Sequence, residues 1–269
     1  MPLRSKKMIV IFTDLDGTLL DAGGSYEPAL PALERVRSRH VPVVFCTSKT
    51  RSEIEVLRRQ LGNEHPFIVE NGGAVFIPPR YFGSPGGNRV VDGYEAIEFG
   101  DRYADLVHAL NKASIESSCA VRGFHQMGAF DLAVRARLEP QAALLALRRE
   151  YDEPFDVLDT GRTGALLRAI ERQGKHWTRG GEFYHILGRN DKGRAASALL
   201  DLYRKQHGEV TAVGIGDGPN DAAFLGVMDL PWIVRSRFAL QLVRQVPGAR
   251  LASASGPDGW NEAVNSLPL

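Results

Sequence analysis

Residues 8–18 read Met8-Ile9-Val10-Ile11-Phe12-Thr13-Asp14-Leu15-Asp16-Gly17-Thr18, an apolar run that ends in two carboxylates and a glycine turn. A strand this apolar is typical of a sheet covered on both faces, where a carboxylate is costly unless a sheet-edge position or a bound cation compensates it. Because side chains alternate along a strand, Asp14 and Asp16 share one side of it. The pair fits a metal site with a nucleophile, and it also fits an ordinary strand end with solvated Asp side chains.

The composition narrows the class of protein. With 269 residues the chain is long enough for one large domain or two smaller ones. A net charge of +1 and the lack of a basic stripe argue against nucleic acid as a partner. Cys46 and Cys119 have no metal-ligand spacing, and no apolar run is long enough for a signal peptide or a membrane span. We therefore expect a cytoplasmic protein without a membrane or nucleic-acid partner, and the oligomeric state stays open.

Strands and helices alternate in both terminal parts of the chain. The hydrophobic spacing predicts strands at 8–13, 41–46, 67–69, 210–215 and 232–234, and helices at 29–39, 50–61, 192–206, from 220 onward and near 260–266. Such alternation favours an α/β fold, with a doubly wound parallel-sheet (Rossmann-like) core and helices on both faces. The carboxyl ends of parallel strands meet at one edge of the sheet, where such folds bind ligands.

The middle of the chain has a different character. Turn signals at Pro78-Pro79 and at 83–87 predict a boundary. Beyond it the sequence predicts helices at 103–114 and 140–150 and strands at 129–136 and 183–187. We interpret residues 80–188 as an inserted α+β cap domain between the core segments 1–79 and 189–269. An insertion of this kind can close over the strand ends.

Two polar segments occur where predicted strands end or helices begin. Thr47-Ser48-Lys49 follows the second strand, where hydroxyls and backbone N–H groups at a helix N-terminus suit an anion. Helix capping by Thr47 or Ser48 is the alternative. Lys192 opens a helix, where a cation opposes the helix dipole unless an anion such as phosphate lies nearby. A solvated side chain paired with Asp191 is the alternative there.

The last polar segment is the turn Gly214-Ile215-Gly216-Asp217-Gly218-Pro219-Asn220-Asp221. Its carboxylates and amide form an oxygen-rich set that suits Mg²⁺. An Asn- and Asp-rich turn at the start of a helix is the alternative, and the glycines lack the dinucleotide-binding spacing. A carboxylate pair, a hydroxyl, a lysine and an acidic turn thus follow one another at successive strand ends and helix starts. Their joint order favours a single site at one edge of the sheet.

This order of motifs resembles the haloacid dehalogenase superfamily of aspartate-nucleophile phosphatases. The position of the insertion, between the second and third motifs, resembles the branch with a large α/β cap. The resemblance implies that Asp14 is the nucleophile and Asp16 the acid/base. It also implies that Thr47 and Lys192 hold the phosphate.

The metal site that the resemblance implies is built from carboxylates. Asp14 and Asp217 would bind Mg²⁺ through their side chains, and Asp16 through its backbone carbonyl. Asp221 would either bind the metal directly or orient Asp217 from behind it, and we favour the second role. The same oxygen ligands accept Mn²⁺ and Co²⁺, so the choice of metal stays open.

Four segments resemble a narrower family, the mannosyl-3-phosphoglycerate phosphatases: 47–51, 70–73, 151–155 and 178–185. That family hydrolyses its phosphorylated sugar-glycerate substrate to mannosylglycerate, a compatible solute, and phosphate. A phosphatase for another sugar phosphate, such as sucrose phosphate, and a phosphomutase are the alternatives. A catalytically silent binding protein is disfavoured, because an unused cluster of buried carboxylates would only cost stability.

The substrate-binding residues that we expect lie in the core loops or in the cap. They are Ser48, Lys49, Asn71, Arg135, Arg179, Gly180, Gly181 and Asn220. Arg179 with the backbone of Gly180 and Gly181 fits a clamp for the glycerate carboxylate. Arg135, on a predicted cap strand, is the second candidate for this contact. For both arginines a solvated surface position is the alternative.

Overall fold

The chain builds a large sheet and leaves it once to form a second, smaller sheet. The computed structural model describes residues 7–269. In chain order the elements are β1 (Met8–Thr13), α1 (Leu30–Ser38), β2 (Val43–Cys46), α2 (Arg51–Leu61), β3 (Phe67–Val69), β4 (Ala74–Ile77), β5 (Arg89–Val91), β6 (Tyr94–Glu98), α3 (Tyr103–Ser117), β7 (Val121–Gly123), α4 (Ala129–Ala136), α5 (Pro140–Ala146), β8 (Asp152–Val157), α6 (Thr163–Arg172), β9 (His176–Gly180), β10 (Phe183–Leu187), α7 (Lys192–His207), β11 (Val210–Gly216), α8 (Ala222–Leu225), β12 (Leu230–Ile233), α9 (Ala239–Gln245), β13 (Arg250–Leu251) and α10 (Gly256–Asn265).

The large sheet has the strand order β13-β12-β11-β1-β2-β3-β4-β6-β5. The strands from β13 through β3 pair in parallel, and β4, β6 and β5 form an antiparallel edge. Alternate residues of β1 enter two hydrophobic layers: Ile11 packs in the layer of α1, α2 and α10, and Phe12 in the layer of α7 and α9. The predicted α/β core with helices on both faces is therefore confirmed. Among residues 7–269, no helix is both long and apolar enough to cross a membrane.

The inserted segment forms an antiparallel sheet with the order β7-β8-β10-β9. Helices α3 and α6 cover one face of this sheet, where Leu110 and Leu166 pack with Phe155 and Ile186. Helices α4 and α5 pack on each other in a separate small cluster. This unit has the α+β character that the sequence predicts for a cap.

Two details of the insertion differ from the sequence prediction. Residues 89–98 form the hairpin β5–β6, which pairs with β4 in the large sheet, although the predicted cap begins at residue 80. The Pro- and Gly-rich turns lead into this hairpin and do not mark the domain boundary. Residues 129–136, predicted as a strand, form helix α4. The Asp131 carboxylate accepts the Gly128 N–H at its first turn, and Leu132 and Ala133 form its buried stripe.

Gly72 lies against the start of α7, and this close approach generates a prediction. Its φ is +84°, and a Cβ at this position would overlap the backbone carbonyl of Asp191. We expect Gly72→Ala to lower the free energy of unfolding by about 3 kcal/mol or more, because left-handed backbone strain adds to an overlap that only main-chain movement relieves.

Gly93→Ala is the matched control for this prediction. Gly93 has a φ of +85° but open space where its Cβ would lie, so only the backbone strain of about 1–2 kcal/mol applies. Urea unfolding monitored by circular dichroism measures both losses. Equal losses for the two variants would contradict the close approach of Gly72 to α7.

Candidate active site

The strand register brings the polar segments to one edge of the large sheet. Thr13 of β1 pairs with Ile215 of β11 on one side and with Phe45 of β2 on the other. The N–H of Asp14 donates to the Ile215 carbonyl at 2.9 Å. The loops that follow these three neighbouring strands therefore begin side by side, as the sequence predicts for parallel strands.

The ammonium of Lys192 occupies the centre of this edge. Its Nζ lies 2.6 Å from Asp14 Oδ1 and 2.7 Å from Asp221 Oδ1, and its side chain is fully buried. Burial disfavours the charged form, but the two carboxylates more than offset this effect and raise the pKa of Lys192 above its usual value. The alternative of a solvated Lys192 paired with Asp191 is wrong, because Asp191 instead caps α7 by accepting the Arg194 N–H.

The carboxylate of Asp217 lies beside the two that bind this ammonium. Oxygens of Asp14, Asp217 and Asp221 all lie within 4.8 Å of one another, a group that could hold a metal ion. Burial, followed by the charge of Asp221, raises the pKa of Asp217 to about 7 and that of Asp14 well above its ordinary value. With all three carboxylates ionised, the single charge of Lys192 does not neutralise the cluster. A divalent cation with oxygen ligands fits this excess of negative charge.

Asp221 is bonded through both of its carboxylate oxygens. Oδ1 accepts from Lys192, and Oδ2 accepts the backbone N–H groups of Asp217 at 3.0 Å and Gly218 at 2.9 Å. Asp221 therefore shapes the turn that presents Asp217. Asp217 itself accepts the Thr18 hydroxyl at 3.0 Å through Oδ1.

Asp16 is separated from this buried cluster. Its side chain is 55% exposed and lies 3.0 Å from the Lys49 ammonium, which also approaches Glu53 at 3.6 Å. Thr47 is fully buried, and its hydroxyl oxygen accepts the Lys49 N–H at 3.2 Å. The alternative role of Thr47 or Ser48 as a helix cap is wrong, because Thr50 is the residue that caps the N-terminus of α2.

Asn71 connects the acidic turn of the core with the inserted sheet. It is buried, its Oδ1 accepts from Asn220 Nδ2 at 3.0 Å, and its Nδ2 donates to Asp152 Oδ2 at 2.6 Å. Burial alone would raise the pKa of Asp152, but the charges of His185 and Arg149 and two hydrogen bonds hold it below its usual value. Asp152 and His185 are not among the site residues predicted from the sequence, although both lie in segments that carry the resemblance to the narrower family.

The two arginines expected to contact substrate, Arg135 and Arg179, do not lie at the carboxylate cluster. Arg135 is on helix α4 and not on a strand, and its guanidinium binds Asp156 and Glu182. Arg179 is exposed and stacks on the cross-strand Tyr184 ring at 5.2 Å, on the face that α3 and α6 cover. The structure does not bring either guanidinium to the carboxylate cluster, because Arg135 is engaged within the insertion and strand alternation turns Arg179 away.

The two glycines after Arg179 do approach the core. A Cβ built on Gly180 would lie 3.2 Å from Asn220 Nδ2. The carbonyl of Gly181 accepts from Arg237 Nη2 at 3.0 Å. The end of β9 therefore lies beside the loop that carries Asp217 and Asp221, and Gly181 contacts the loop after β12.

Solved structures share this architecture. Thermoplasma acidophilum 0175 superimposes with a TM-score of 0.68 at 17% identity, covering 97% of this chain and 98% of that one. The sucrose-phosphatase from Synechocystis sp. PCC6803, solved with sucrose and phosphate, has a TM-score of 0.63 at 14% identity, with 97% and 98% covered. At these identities the likeness establishes the fold alone.

Relatives found by sequence share a higher identity with this chain than these solved structures do. A family model described as haloacid dehalogenase-like hydrolase matches residues 11–81. Proteins named glucosyl-3-phosphoglycerate/mannosyl-3-phosphoglycerate phosphatase are 38% identical in Methanococcoides burtonii, with 96% of each chain covered, and 36% in Persephonella marina, with 95% of this chain and 96% of that one covered. The mannosyl-3-phosphoglycerate phosphatase of Pyrococcus horikoshii is 34% identical, with 84% of this chain and 90% of that one covered. The chain belongs to the haloacid dehalogenase-like hydrolases, and it is a phosphatase of that family.

Proposed function

We propose that this phosphatase hydrolyses mannosyl-3-phosphoglycerate to mannosylglycerate and phosphate, with Mg²⁺ and through an aspartyl-phosphate intermediate. One observation carries the proposal. The three-carboxylate cluster around Lys192 occurs in a chain that is similar over nearly its whole length to phosphatases with this substrate in their names. The cluster supports a reaction centre, and the names of the relatives support phosphorylated sugar-glycerates as the class of substrate.

The carboxylate cluster supports Mg²⁺ as the cofactor. We assign the side chains of Asp14 and Asp217 and the backbone carbonyl of Asp16 as its ligands. When bound, Mg²⁺ supplies positive charge that offsets the repulsion between a carboxylate and a phosphoryl group. Asp221, whose oxygens already accept three hydrogen bonds, orients the turn instead of binding the metal.

Asp14 and Asp16 divide the chemistry between them. A carboxylate oxygen of Asp14 attacks phosphorus, the bond from phosphorus to the leaving oxygen breaks, and Asp16 gives that oxygen its proton. Asp16, now a carboxylate, takes a proton from a water molecule whose oxygen attacks phosphorus. The bond from phosphorus to Asp14 then breaks and phosphate leaves. The exposure of Asp16 beside Lys49 supports this role, because a proton carrier needs access to the leaving group and to water.

Phosphate binding is assigned to the groups behind the nucleophile. Lys192 has three N–H donors, of which two bind Asp14 and Asp221, so the third is available to a phosphoryl oxygen. The Thr47 hydroxyl, at the end of β2, is the second donor. Ser48 and Lys49 continue the same loop and complete the anion site.

The inserted unit is the proposed cap, and its contacts select the organic part of the substrate. Asn71, Gly180, Gly181 and Asn220 meet where the insertion touches the core, which supports them as substrate contacts. The names of two relatives favour glucosyl-3-phosphoglycerate as a second substrate.

A phosphate-release assay tests the substrate. In the presence of Mg²⁺ we expect release from mannosyl-3-phosphoglycerate, and from glucosyl-3-phosphoglycerate, with a kcat/KM at least about tenfold above that for sucrose phosphate or mannose phosphates. EDTA should abolish the activity, and added Mg²⁺ should restore it. Preference for sucrose phosphate would contradict the proposed substrate, and activity that survives EDTA would contradict the proposed metal dependence.

Asp14→Asn tests the nucleophile. We expect kcat to fall by at least about 10³-fold, because an amide cannot form the acyl phosphate. Asp21→Asn is the matched control in the same loop. Asp21 accepts backbone N–H groups through one oxygen, which an Asn side chain also does, so activity should persist. Circular dichroism checks that both variants fold, and near-normal turnover by Asp14→Asn would rule out this nucleophile.

A further inference from the structure

Thr47, Ser48 and Lys49 form the loop to which the proposed function assigns phosphate, and we call it the phosphate loop. All three of its carbonyl groups are held by neighbouring residues. The Asn71 N–H donates to the Thr47 carbonyl at 3.0 Å, and the Glu70 N–H donates to the Lys49 carbonyl at 3.0 Å. These two donors belong to the core segment that follows β3. The carbonyl of Ser48, between them, is bound by a side chain of the insertion.

Arg149, in the segment between α5 and β8, holds the Ser48 carbonyl. Its Nη2 donates to this oxygen at 3.0 Å, and its Nε donates to the carbonyl of Asp152 at 3.1 Å. The side chain is 3% exposed, and its guanidinium also lies 3.3 Å from Asp152 Oδ1 and 3.5 Å from Glu70 Oε2. Because the guanidinium is planar, these partners fix the direction of each of its N–H groups. The Ser48 carbonyl therefore meets a rigid donor.

The peptide group between Ser48 and Lys49 connects this contact with the Thr47 hydroxyl. In a trans peptide the N–H points opposite to the carbonyl, so holding the Ser48 carbonyl also fixes the Lys49 N–H. This N–H donates to Thr47 Oγ1 at 3.2 Å. Thr47 is fully buried, and no acceptor for its hydroxyl proton is found in the part of the chain that the structure describes. The hydroxyl is thus held through its oxygen and keeps its proton for a ligand.

We propose that Arg149 is a positioning residue for phosphate binding. It acts through the Ser48 carbonyl and the Lys49 N–H on the Thr47 hydroxyl. The inference rests on the proposed function, in which that hydroxyl donates to the phosphoryl group. Without the guanidinium the peptide between Ser48 and Lys49 is free to turn, and the hydroxyl loses the bond that orients it. The insertion therefore contributes to the phosphate site in the core, in addition to its proposed contacts with the organic part of the substrate.

Arg149→Lys and Thr47→Val, singly and together, test the proposed coupling. A lysine at position 149 keeps the positive charge beside Glu70 and Asp152, but its single ammonium lacks the planar fork that binds two carbonyls at once. Two readouts are measured in the presence of Mg²⁺. Calorimetric titration gives the Kd of inorganic phosphate, and phosphate release gives kcat/KM for mannosyl-3-phosphoglycerate.

The expected result is a strongly non-additive pair of effects. Thr47→Val should weaken phosphate binding by about 10- to 100-fold, because it removes a hydrogen bond to a charged group. Arg149→Lys should weaken it by about tenfold, because the hydroxyl is misplaced and not absent. In the Thr47→Val background, Arg149→Lys should add a loss of less than about threefold, since the group through which it acts is gone. The values of kcat/KM should follow the same pattern.

Tyr151→Phe is the matched control for a general loosening of the junction. Tyr151 lies two residues from Arg149, and its hydroxyl donates to Glu98 Oε1 at 2.6 Å. This change removes one bond between the same segment and the core without touching the phosphate loop. We expect both readouts to stay at the wild-type level. Circular dichroism checks that each variant folds.

The outcomes separate the positioning role from the proposed function. Equal effects of Arg149→Lys with and without the Thr47 hydroxyl, or a wild-type phosphate Kd in Arg149→Lys, would overturn the positioning role alone. A wild-type Kd in Thr47→Val would overturn both the assignment of Thr47 to phosphate and the inference that rests on it. No phosphate release from mannosyl-3-phosphoglycerate, combined with a phosphate Kd that depends on Arg149 as expected, would contradict only the proposed substrate.

A crystal structure of the wild type with bound phosphate tests the contact without any variant. We expect Arg149 Nη2 within hydrogen-bond distance of the Ser48 carbonyl, and Thr47 Oγ1 within hydrogen-bond distance of a phosphate oxygen. A Ser48 carbonyl turned away from the guanidinium while Thr47 still binds phosphate would overturn the positioning role.

Discussion

The buried ammonium of Lys192 is the interaction on which the site depends. A lysine with no exposed side-chain surface is tolerable only because Asp14 and Asp221 bind it at 2.6 and 2.7 Å. These contacts tie the end of β1, the start of α7 and the turn after β11 to one point. The same contacts group a third carboxylate with the two that bind the lysine, and burial, followed by the charge of Asp221, raises the pKa values of Asp14 and Asp217. A divalent cation bound to these oxygens would favour their ionised form and offset their mutual repulsion.

A second buried network joins the core to the insertion. Glu70, beside Asn71, accepts the backbone N–H groups of Glu150 and Tyr151 and lies 3.5 Å from Arg149. Burial raises the pKa of Glu70 to about 8 despite the nearby arginine. These bonds hold the start of β8, and therefore the strands beside it, against the loop after β3. The network explains how residues of the insertion reach positions next to the acidic turn.

The core and its motif residues could be predicted because they follow from local rules. Apolar runs followed at once by polar residues mark buried parallel strands and their ends, and parallel strands place those ends together. Asp14, Thr47 and Asp217 illustrate this logic. The direct ion pair between Lys192 and Asp14 could not be predicted in this way. A lysine at the start of a helix indicates a nearby anion but does not identify which one.

The insertion was harder to predict because its features depend on long-range pairing. The hairpin β5–β6 has exposed residues and turn-rich flanks, so its place at the edge of the large sheet follows only from its partner β4. In residues 129–136, an apolar pattern that fits a strand also fits a short helix. Arg179 and His185 lie in one distinctive segment, yet strand alternation sends them to opposite faces, and only the register of β9 and β10 shows which faces the core.

The dependence of thermal stability on Mg²⁺ tests, without relying on catalysis, whether the carboxylate cluster is a divalent-cation site. At Mg²⁺ about tenfold above its Kd, we expect the Tm of the wild type to rise by about 3–5 °C. Asp217→Asn should lose this rise, while Asp201→Asn, an exposed aspartate on α7, should keep it. A wild-type Tm that does not respond to millimolar Mg²⁺, or an equal rise in Asp217→Asn, would show that the cluster does not bind Mg²⁺ through Asp217.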